Sequence, residues 1–392
     1  MKYFLHIILV INFLSGCKNA NREQEKMASP ADEIVNAEGK KEMILLTDRP
    51  PNLETPLKYF KLDYTPNDVF FVRWHLSGIP SSVDTGTFRL KVGGHVKNPL
   101  SLSLNDLRTK FKSQSIVALA ECAGNSRSFF DPRVPGGQWK NGAMGNARWT
   151  GVSVKDILTA AGIKDGAFEI SFNGLDEPPL STVPDFVKSL RPEQAMDGEV
   201  MIAYEMNDEP LPLLNGFPLK LVVPGWYATY WIGMLNEIQV YPDTFKGYWM
   251  KKAYLVPKNV RNGNENHDSL AKETEPINKL DIRSIFVDPE PGTVIPKDKP
   301  VEIEGLAFDA GDSIVKVEVS ADGKLWKDAT LSPYISKYSW RRWKYEWTPG
   351  AAGSYTLFVK ATNAIGETQP EHQWNRSGYM RNEIETLELK AE

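Results

Sequence analysis

The chain has 392 residues, of which 41% are hydrophobic and 24% are charged, an ordinary globular composition with enough apolar material for two domains. Its 46 Lys and Arg residues and 50 Asp and Glu residues give a formal net charge of −4. This balance excludes a globally basic surface for nucleic acid and an acidic disordered chain. We therefore expect no nucleic acid among the partners.

Residues 1–17, MKYFLHIILVINFLSGC, have the pattern of a signal peptide. Their apolar run is well short of the roughly 20 residues that span a bilayer, so a permanent transmembrane helix is the weaker interpretation. The run ends in Leu-Ser-Gly-Cys, which resembles the bacterial lipobox, a motif whose cysteine is acylated. We expect lipidation at Cys17 and an extracytoplasmic lipoprotein on the periplasmic side, held at the membrane by its lipid anchor only.

Residues 18–56 are mostly polar and charged and contain few aromatic residues, which predicts a flexible tether. Residues 57–280 then mix strand-like and helical patterns. TFRLKVGGHV alternates apolar and polar residues before a Gly-Gly turn. SLNDLRTKF begins with a capping pattern, and SVKDILTAAGI carries apolar residues at helical spacing before Gly162. This part of the chain is expected to be a mixed α+β domain.

Residues 281–392 are predicted to form a second, all-β domain. A polar linker without periodicity precedes it, and strand-like runs with intervening turns follow. Val315, Val317 and Val319 alternate with polar residues, and Asp322-Gly323 is a hairpin signal. Such a series predicts an immunoglobulin-like β-sandwich, here without the cysteine pair of antibody domains.

Cys122, in ALAECAGNSRSFF, is one of two cysteines in the chain. If Cys17 carries lipid, Cys122 has no intramolecular disulfide partner. Two cysteines also exclude a Cys-x-x-Cys-His haem site and a cysteine-ligated iron–sulfur cluster in this chain. Cys122 ends a hydrophobic run, and Arg127 nearby would favour the thiolate, a nucleophile or metal ligand. A buried structural thiol is the alternative, and these residues alone leave both open.

Arg73 and His75 lie in FFVRWHL, after a strand-like run. Ordinary hydrogen bonds at the end of a strand would explain an isolated Arg-Trp-His. If the ligand is an oxyanion, a binding role for Arg73 is favoured instead, because arginine offers a planar fork of donors suited to sulfate-like or phosphate-like groups. Together with Cys122 and Arg127, these residues favour an anion site over a cysteine protease.

Six segments in order resemble the sulfite oxidase family of molybdenum enzymes, with the bacterial sulfite dehydrogenases that reduce cytochrome c as the most similar branch. The likeness covers about residues 57–392, and the combination of Cys-Ala-Gly-Asn-x-Arg, Ala-Arg-Trp-x-Gly and Gly-Phe-Pro is highly specific. The segments are FFVRWHL, ECAGNSR, GQWKNGAMGNARWTGVSVKDIL, AYEMNDEPLPLLNGFPLKLVVPG, YWMKKAY and HQWNRSGYMRN.

The resemblance implies one molybdenum and one molybdopterin per chain, with Cys122 as the single protein ligand of the metal. Sulfur ligands suit a metal that cycles between oxidation states. By the same resemblance Arg73 and Arg127 bind the substrate, and Tyr254 lies near the metal. Without the family, Tyr254 would be interpreted as an amphipathic residue at a domain edge.

Further positions match pocket or cofactor residues of the family. Trp139 matches an aromatic that lines the anion pocket, although tryptophans are usually core residues. His75 matches a pocket histidine that also contacts the cofactor. The resemblance assigns cofactor contacts to Asp176, Asn215, Lys220, Trp231 and Gly233.

Three positions depart from the family pattern. Lys220 stands where many relatives have arginine, which keeps the charge but loses the bidentate fork. Gly233 stands where many relatives have lysine, and the comparison with the family leads us to expect one phosphate contact fewer there. Arg376, in Trp-Asn-Arg-Ser-Gly, lies one position earlier than the family arginine that reaches the anion pocket, and it is assigned to the substrate pocket by this match.

The resemblance implies oxidation of sulfite to sulfate by a homodimer, because the β-sandwich is the family's dimerisation domain. Without a haem motif in this chain, electrons are expected to pass to a cytochrome c-type acceptor. A molybdopterin-dependent reductase of sulfoxides or of another oxyanion is the alternative. A cofactor-free binding or adhesion lipoprotein, with the sandwich as its working part, is a third interpretation.

Overall fold

The computed structural model describes residues 33–258, 260 and 263–392. The predicted signal peptide and the lipobox residue Cys17 lie outside these residues. Of the described helices, none combines the length and apolarity that crossing a membrane requires.

The first described strands correct the prediction of a flexible tether for residues 33–56, and the rest of the predicted tether, residues 18–32, lies outside the described residues. Four strands form an antiparallel sheet in the order β1-β2-β3-β4. Met43 and Leu53 are buried in it against Val72, Trp74 and Met234. The charged residues around Met43 hid this short apolar pattern in the sequence. The strands are β1 (Ile34–Ala37), β2 (Lys40–Thr47), β3 (Asn52–Glu54) and β4 (Val72–Arg73).

The middle of the chain contains short strands, four α-helices and single-turn 3₁₀ segments, among the described residues. The strands are β5 (Leu90–Gly94), β6 (Leu100–Leu102), β7 (Ser113–Glu121), β8 (Met144–Ser153), β9 (Glu169–Asn173), β10 (Lys188–Leu190), β11 (Met201–Met206), β12 (Glu209–Pro210), β13 (Lys220–Val222), β14 (Glu237–Tyr241), β15 (Leu255–Pro257) and β16 (Thr274–Pro276). The helices are α1 (Leu104–Lys110), α2 (Val154–Ala161), α3 (Pro192–Ala195) and α4 (Tyr248–Lys251). The 3₁₀ segments are Leu57–Lys61, Asn67–Val69, Arg127–Phe129, Leu213–Asn215 and Ala228–Tyr230.

Local sequence signals explain the two longer helices. Ser103 caps α1 by accepting a hydrogen bond from the Asp106 amide, and the Asp106 carboxylate accepts from the Ser103 amide. Helix α2 buries its apolar face and ends at Gly162, whose φ of +68° closes the helix in the left-handed region. Both predicted helices are therefore confirmed.

Two five-stranded arrangements and a two-stranded sheet of β15 and β16 make up this part of the fold. One sheet has the order β10-β9-β14-β5-β6, with β14 and β5 parallel. The other has the order β12-β11-β8-β7, and β13 pairs with β11. Strands β7 and β8 pair from Ser113 opposite Val152 to Glu121 opposite Met144. Cys122 directly follows the last residue of β7 and therefore lies where the chain leaves the sheet.

The C-terminal part is the predicted all-β sandwich, and the α+β fold class is confirmed. Its sheets run β17-β19-β23-β22 and β18-β25-β24-β20-β21. The strands are β17 (Arg283–Asp288), β18 (Val294–Ile295), β19 (Val301–Phe308), β20 (Ile314–Ser320), β21 (Trp326–Asp328), β22 (Thr330–Leu331), β23 (Arg341–Trp347), β24 (Gly353–Asn363) and β25 (Glu385–Ala391).

Strand β20 differs from the expected alternation at its start. Val317 and Val319 are buried, but the side chain of Val315 is exposed. An irregularity in the pairing of β20 with β24 between Ile314 and Lys316 shifts the register there. The predicted turn is present, with Gly323 at a φ of +71° in the connection from β20 to β21.

Candidate active site

A cavity brings together most of the residues that the sequence singled out. They come from β4, the end of β7, β13 and the segments around residues 176, 215, 231 and 254. The predicted residues in its wall are Arg73, His75, Cys122, Asp176, Asn215, Lys220, Trp231, Gly233 and Tyr254.

Cys122 lies at the cavity wall as a free, largely buried thiol. Its backbone N–H donates to the Ala143 carbonyl at 2.9 Å, which continues the pairing of the β7–β8 strands by one residue. Asn125 fixes the turn after it: its amide nitrogen donates to Glu121, and its amide oxygen accepts from the Ala143 N–H. The sulfur is therefore held by a rigid strand end and a hydrogen-bonded turn.

Arg127 lies beside this turn but does not line the cavity. Its guanidinium donates to the carbonyls of Gly378 at 3.0 Å and Gly137 at 3.2 Å, and its Cζ lies 4.9 Å from the ring centre of Tyr379. Gly124 allows the close approach, because a Cβ there would lie 2.8 Å from the guanidinium. Its positive charge lowers the pKa of Tyr254 at the cavity wall, against the larger effect of burial.

Trp139 and Arg376 are also absent from the cavity wall, so their assignment to the substrate pocket stays a prediction. Trp139 is buried in the main hydrophobic core. Arg376 forms an ion pair with the buried Glu265 and donates to the Ala271 carbonyl at 2.6 Å. These partners hold the Arg376 guanidinium on a different surface, because the nearby carboxylate satisfies its charge.

His75 and Tyr254 are hydrogen-bonded to each other inside the cavity, between His75 Nε2 and the Tyr254 hydroxyl. Burial, and then the charges of Arg73 and Lys188, hold the pKa of His75 well below its usual value. Burial raises the pKa of Tyr254. The pair is therefore a neutral imidazole and a neutral phenol, so the phenolic O–H donates and Nε2 accepts.

Aromatic stacking fixes the orientation of this pair. The His75 ring stacks on Phe186 with centroids 3.6 Å apart, and Tyr254 stacks on Tyr379 with centroids 5.0 Å apart. Tyr254 also has a φ of +55°, a left-handed conformation that costs a non-glycine residue free energy and is common at functional sites. The stacking residues Phe186 and Tyr379 were missed in the sequence, where single aromatics carry no signal of a pocket.

Arg73 contributes its guanidinium group to the cavity wall. Its Nη1 donates to Asn52 Oδ1 at 3.2 Å and to the Trp74 carbonyl. Asn52 comes from β3, so the N-terminal sheet positions this arginine. The remaining N–H groups give the cavity a charged donor for an anion.

Asp176, Asn215 and Lys220 line another part of the same cavity. Burial raises the pKa of Asp176 to about 7 and lowers the pKa of Lys220 to about 8. The Asn215 amide nitrogen donates to the Phe71 carbonyl at 3.0 Å. Buried polar groups with shifted pKa values inside a cavity are typical of a binding site.

Gly216 and Gly233 leave backbone surface uncovered beside these polar groups. Gly216 has a φ of +106°, and a Cβ on it would lie 2.7 Å from the Gly233 Cα. A Cβ on Gly233 would lie 3.1 Å from the Gly216 Cα and 3.2 Å from the Trp74 ring. The two glycines therefore pack backbone against backbone and leave the cavity to a ligand.

Lys188 is a buried cation near the pair that the sequence did not single out. Its Nζ donates to the Trp249 carbonyl at 2.7 Å and lies 4.5 Å from the ring centre of Tyr230 and 5.1 Å from that of Tyr254. Burial lowers its pKa to about 7. Its position in β10, a short strand with no motif, gave no signal in the sequence.

The buried Lys188 predicts a pH-dependent stability difference between the wild type and Lys188→Met. Unfolded lysine keeps its proton up to its ordinary pKa of 10.5, whereas folded Lys188 loses it near pH 7. Between these values the unfolded state binds more protons, so wild-type stability rises with pH relative to the variant, by up to about 1.4 kcal/mol per pH unit. Urea unfolding of the cofactor-free proteins at pH 6, 7.5 and 9 measures this. A difference that stays constant from pH 6 to 9 would contradict the assignment.

The chain matches two family models over most of its described length. Residues 76–249 match the oxidoreductase molybdopterin binding domain, and residues 274–390 match the Mo-co oxidoreductase dimerisation domain. The sulfite oxidase of Gallus gallus is 31% identical over 355 residues, which cover 85% of this chain and 75% of that protein. The chain belongs to the sulfite oxidase family.

Two further relatives extend this result. The mitochondrial sulfite oxidase of Rattus norvegicus is 32% identical over 357 residues, and the match covers 86% of this chain and 63% of the rat protein. The crystal structure of the sulfane dehydrogenase SoxCD from Paracoccus pantotrophus superimposes with a TM-score of 0.76 at 23% identity, covering 96% of this chain and 93% of that one. The predicted family, oxidoreductase class and fold are therefore confirmed.

The residues of the cavity fit the molybdenum–molybdopterin that the family binds. Cys122 supplies a buried thiol, the soft ligand type that molybdenum takes. Lys220 supplies a half-buried cation, and the Gly216–Gly233 contact leaves room for a flat ring system beside polar groups. Cys122 would hold the metal, and Lys220, Asn215 and Asp176 would hold the pterin.

Proposed function

We propose that the chain catalyses molybdenum-dependent oxidation of sulfite to sulfate. The observation that carries the proposal is that the Cys122 thiol, the Arg73 guanidinium and the His75–Tyr254 pair line one cavity. When bound, molybdenum–molybdopterin supplies two-electron oxygen-atom transfer chemistry. In the net reaction sulfite gains one oxygen atom from water and gives up two electrons, and the water molecule releases its two protons.

Arg73 binds the substrate anion in this proposal. Sulfite and sulfate are oxyanions, and the fixed fork of the guanidinium matches two of their oxygen atoms. Asn52 and the Trp74 carbonyl already hold one side of the guanidinium, so its free N–H groups are oriented before the substrate arrives.

Tyr254 and His75 control protons beside the anion. The phenol donates to the imidazole, and both groups stay neutral because the cavity is buried. The imidazole accepts the single O–H of the phenol in this arrangement, so the Tyr254 hydroxyl could donate to a bound oxyanion only by leaving His75. Arg73 and Arg127 both lower the pKa of Tyr254 against the larger effect of burial, which places two positive charges near its hydroxyl.

Replacing Arg73 by methionine is expected to raise the KM for sulfite about 10- to 100-fold, because one charged hydrogen-bonding group is lost. Arg73→Lys keeps the charge but lacks the planar fork of donors, so its KM for sulfite is expected to lie between those of the wild type and Arg73→Met. Steady-state kinetics on samples with matched molybdenum content measure this. An unchanged KM in Arg73→Met would remove Arg73 from the substrate site.

We propose a c-type cytochrome as the electron acceptor. With two cysteines the given sequence cannot contain a Cys-x-x-Cys-His haem site, which favours an external haem protein as the acceptor. Sulfite-dependent reduction of ferricytochrome c by the purified protein tests both the substrate and the acceptor. Turnover of sulfoxides without sulfite oxidation would instead support a reductase.

We also propose a lipid-anchored, extracytoplasmic homodimer. The Leu-Ser-Gly-Cys motif supports lipidation at Cys17, and the dimerisation-domain match supports the dimer. Labelling with a radioactive fatty acid, compared between the full chain and Cys17→Ser, tests the anchor. Sedimentation of the detergent-solubilised protein tests the dimer, and a monomer at micromolar concentration would contradict it.

A further inference from the structure

A second buried lysine lies next to the polar part of the cavity. Lys40 in β2 exposes 4% of its surface, and its Nζ donates to the Asn67 carbonyl at 2.5 Å and to Asn215 Oδ1. Asn215 itself lines the cavity beside Lys220. Lys40 belongs to the N-terminal sheet and lies outside the segments that match the two family models.

Lys40, which is buried, and Lys220, which is half-buried at the cavity wall, place two positive charges close together. Burial lowers the pKa of Lys40 to about 7, the charge of Lys220 lowers it as well, and Asp68 opposes both. Asp68 is partly exposed and pairs with Lys41 at 2.6 Å, so it is shared between two lysines. Among the described residues, no carboxylate forms an ion pair with Lys40 or with Lys220. An anionic ligand between them would compensate this charge.

The packing of Gly233 explains why a cation is needed from elsewhere. The resemblance expected a lysine at this position in many relatives. Here a Cβ on Gly233 would lie 3.1 Å from the Gly216 Cα and 3.2 Å from the Trp74 ring, so a side chain at this position would be crowded. Glycine supplies no positive charge at this position, and strand β2 brings a lysine to Asn215 instead.

We propose that Lys40 and Lys220, with Asn215 between them, form the binding site for the phosphate monoester of molybdopterin. Lys40 supplies the second positive charge, which compensates for glycine at position 233. A phosphate monoester carries close to two negative charges near neutral pH and accepts hydrogen bonds on several oxygen atoms, so two ammonium groups match it. The inference depends on molybdopterin binding alone and stays valid if the substrate is not sulfite.

Lys40→Met tests the proposal in the full-length holoenzyme, with Lys41→Met as the matched control. Lys41 is the next residue of the same strand, but its side chain is exposed and pairs with Asp68. The pterin released on denaturation, per chain, is measured after purification and again during extended dialysis. We expect Lys40→Met to lose pterin about tenfold faster than the wild type. Lys41→Met should lose pterin at the wild-type rate, and the rate for Lys40→Arg should be close to that of the wild type.

Inorganic phosphate provides a second measurement that does not need the variant to fold. Full-length wild-type protein made without the cofactor is expected to melt at a higher temperature in phosphate than in chloride of equal ionic strength. Where Lys40→Met folds, its melting temperature should respond less to phosphate. No effect of phosphate on the wild type would overturn the anion site. Protection by phosphate combined with wild-type pterin retention in Lys40→Met would show that the lysines bind free phosphate and would overturn the assignment to the cofactor.

Discussion

Cys122→Ser is expected to reduce turnover at least a hundredfold. Replacing a residue that only hydrogen-bonds to a metal ligand costs about 10- to 100-fold in activity, and loss of the ligand itself should cost at least the upper value. Serine has nearly the shape of cysteine, so the packing at the end of β7 is kept. Its hydroxyl stays protonated at neutral pH, however, and is a hard oxygen donor where molybdenum takes a soft thiolate. The change therefore removes the ligand chemistry and leaves the backbone hydrogen bond from residue 122 to Ala143 in place.

The measurement for Cys122→Ser has three parts. Turnover is compared at equal pterin content, circular dichroism and melting temperature report the fold, and the visible absorption of the holoenzyme reports the loss of the sulfur-to-metal bond. Pterin should remain bound, since Lys220 and Asn215 are unchanged. Turnover within a factor of a few of the wild type in a pterin-loaded variant would show that Cys122 is not the ligand.

Arg283→Met is expected to destabilise the protein by about 3–5 kcal/mol, because it leaves the buried Glu121 carboxylate without its charged partner and removes one of the two arginines that pair with Glu385. Arg283 has an exposed side-chain fraction of 1%, and its guanidinium pairs with Glu121 at 3.1 Å and with Glu385. It also donates to Ser126 Oγ at 2.6 Å and to Asn141 Oδ1 at 2.9 Å. Burial already raises the pKa of Glu121, and losing the arginine would raise it further.

The Arg283 pairs also join the sandwich to the candidate active site. Glu121 directly precedes Cys122, and Ser126 belongs to the turn that follows it, whereas Arg283 begins β17. Loss of these bonds should therefore weaken retention of the cofactor along with the fold. Faster pterin release from Arg283→Met at a temperature where the variant is still folded measures that effect.

Arg342→Met is the matched control for Arg283→Met. Arg342 lies in the sandwich and pairs with Asp63 at 2.8 Å, but both side chains are partly exposed. Exposed pairs contribute about 0–1 kcal/mol, so this variant should unfold near the wild-type denaturant concentration. Equal losses of stability in the two variants would mean that burial of the Arg283 pairs is not what makes them important.

Local signals explain which parts of the fold were predictable. Helix α1 is specified by Ser103 and Asp106, and α2 by its apolar spacing and Gly162, within a few residues of sequence. The β1–β3 segment was mistaken for a tether because its burial depends on distant partners such as Met234. Short strands of this kind gain their stability from tertiary packing, which sequence patterns report poorly.

Within the candidate active site, too, residues in local motifs were predictable, whereas residues whose position depends on distant partners were not. Cys122, Arg73 and Lys220 lie in motifs and line the cavity as expected. Arg376 lies in a motif too, but Glu265, more than a hundred residues away, determines where its side chain goes. Lys188 and Lys40 lie in no motif, and their importance comes from burial, which only the folded chain reveals.

The molybdenum content of the purified protein tests the central claim most directly. The full-length chain is produced in a host that makes molybdopterin, and metal and protein are quantified in the same sample. We predict about one molybdenum per chain, bound with the pterin. Protein that is folded, comes from such a host and contains neither molybdenum nor pterin would contradict the account and favour a cofactor-free binding protein.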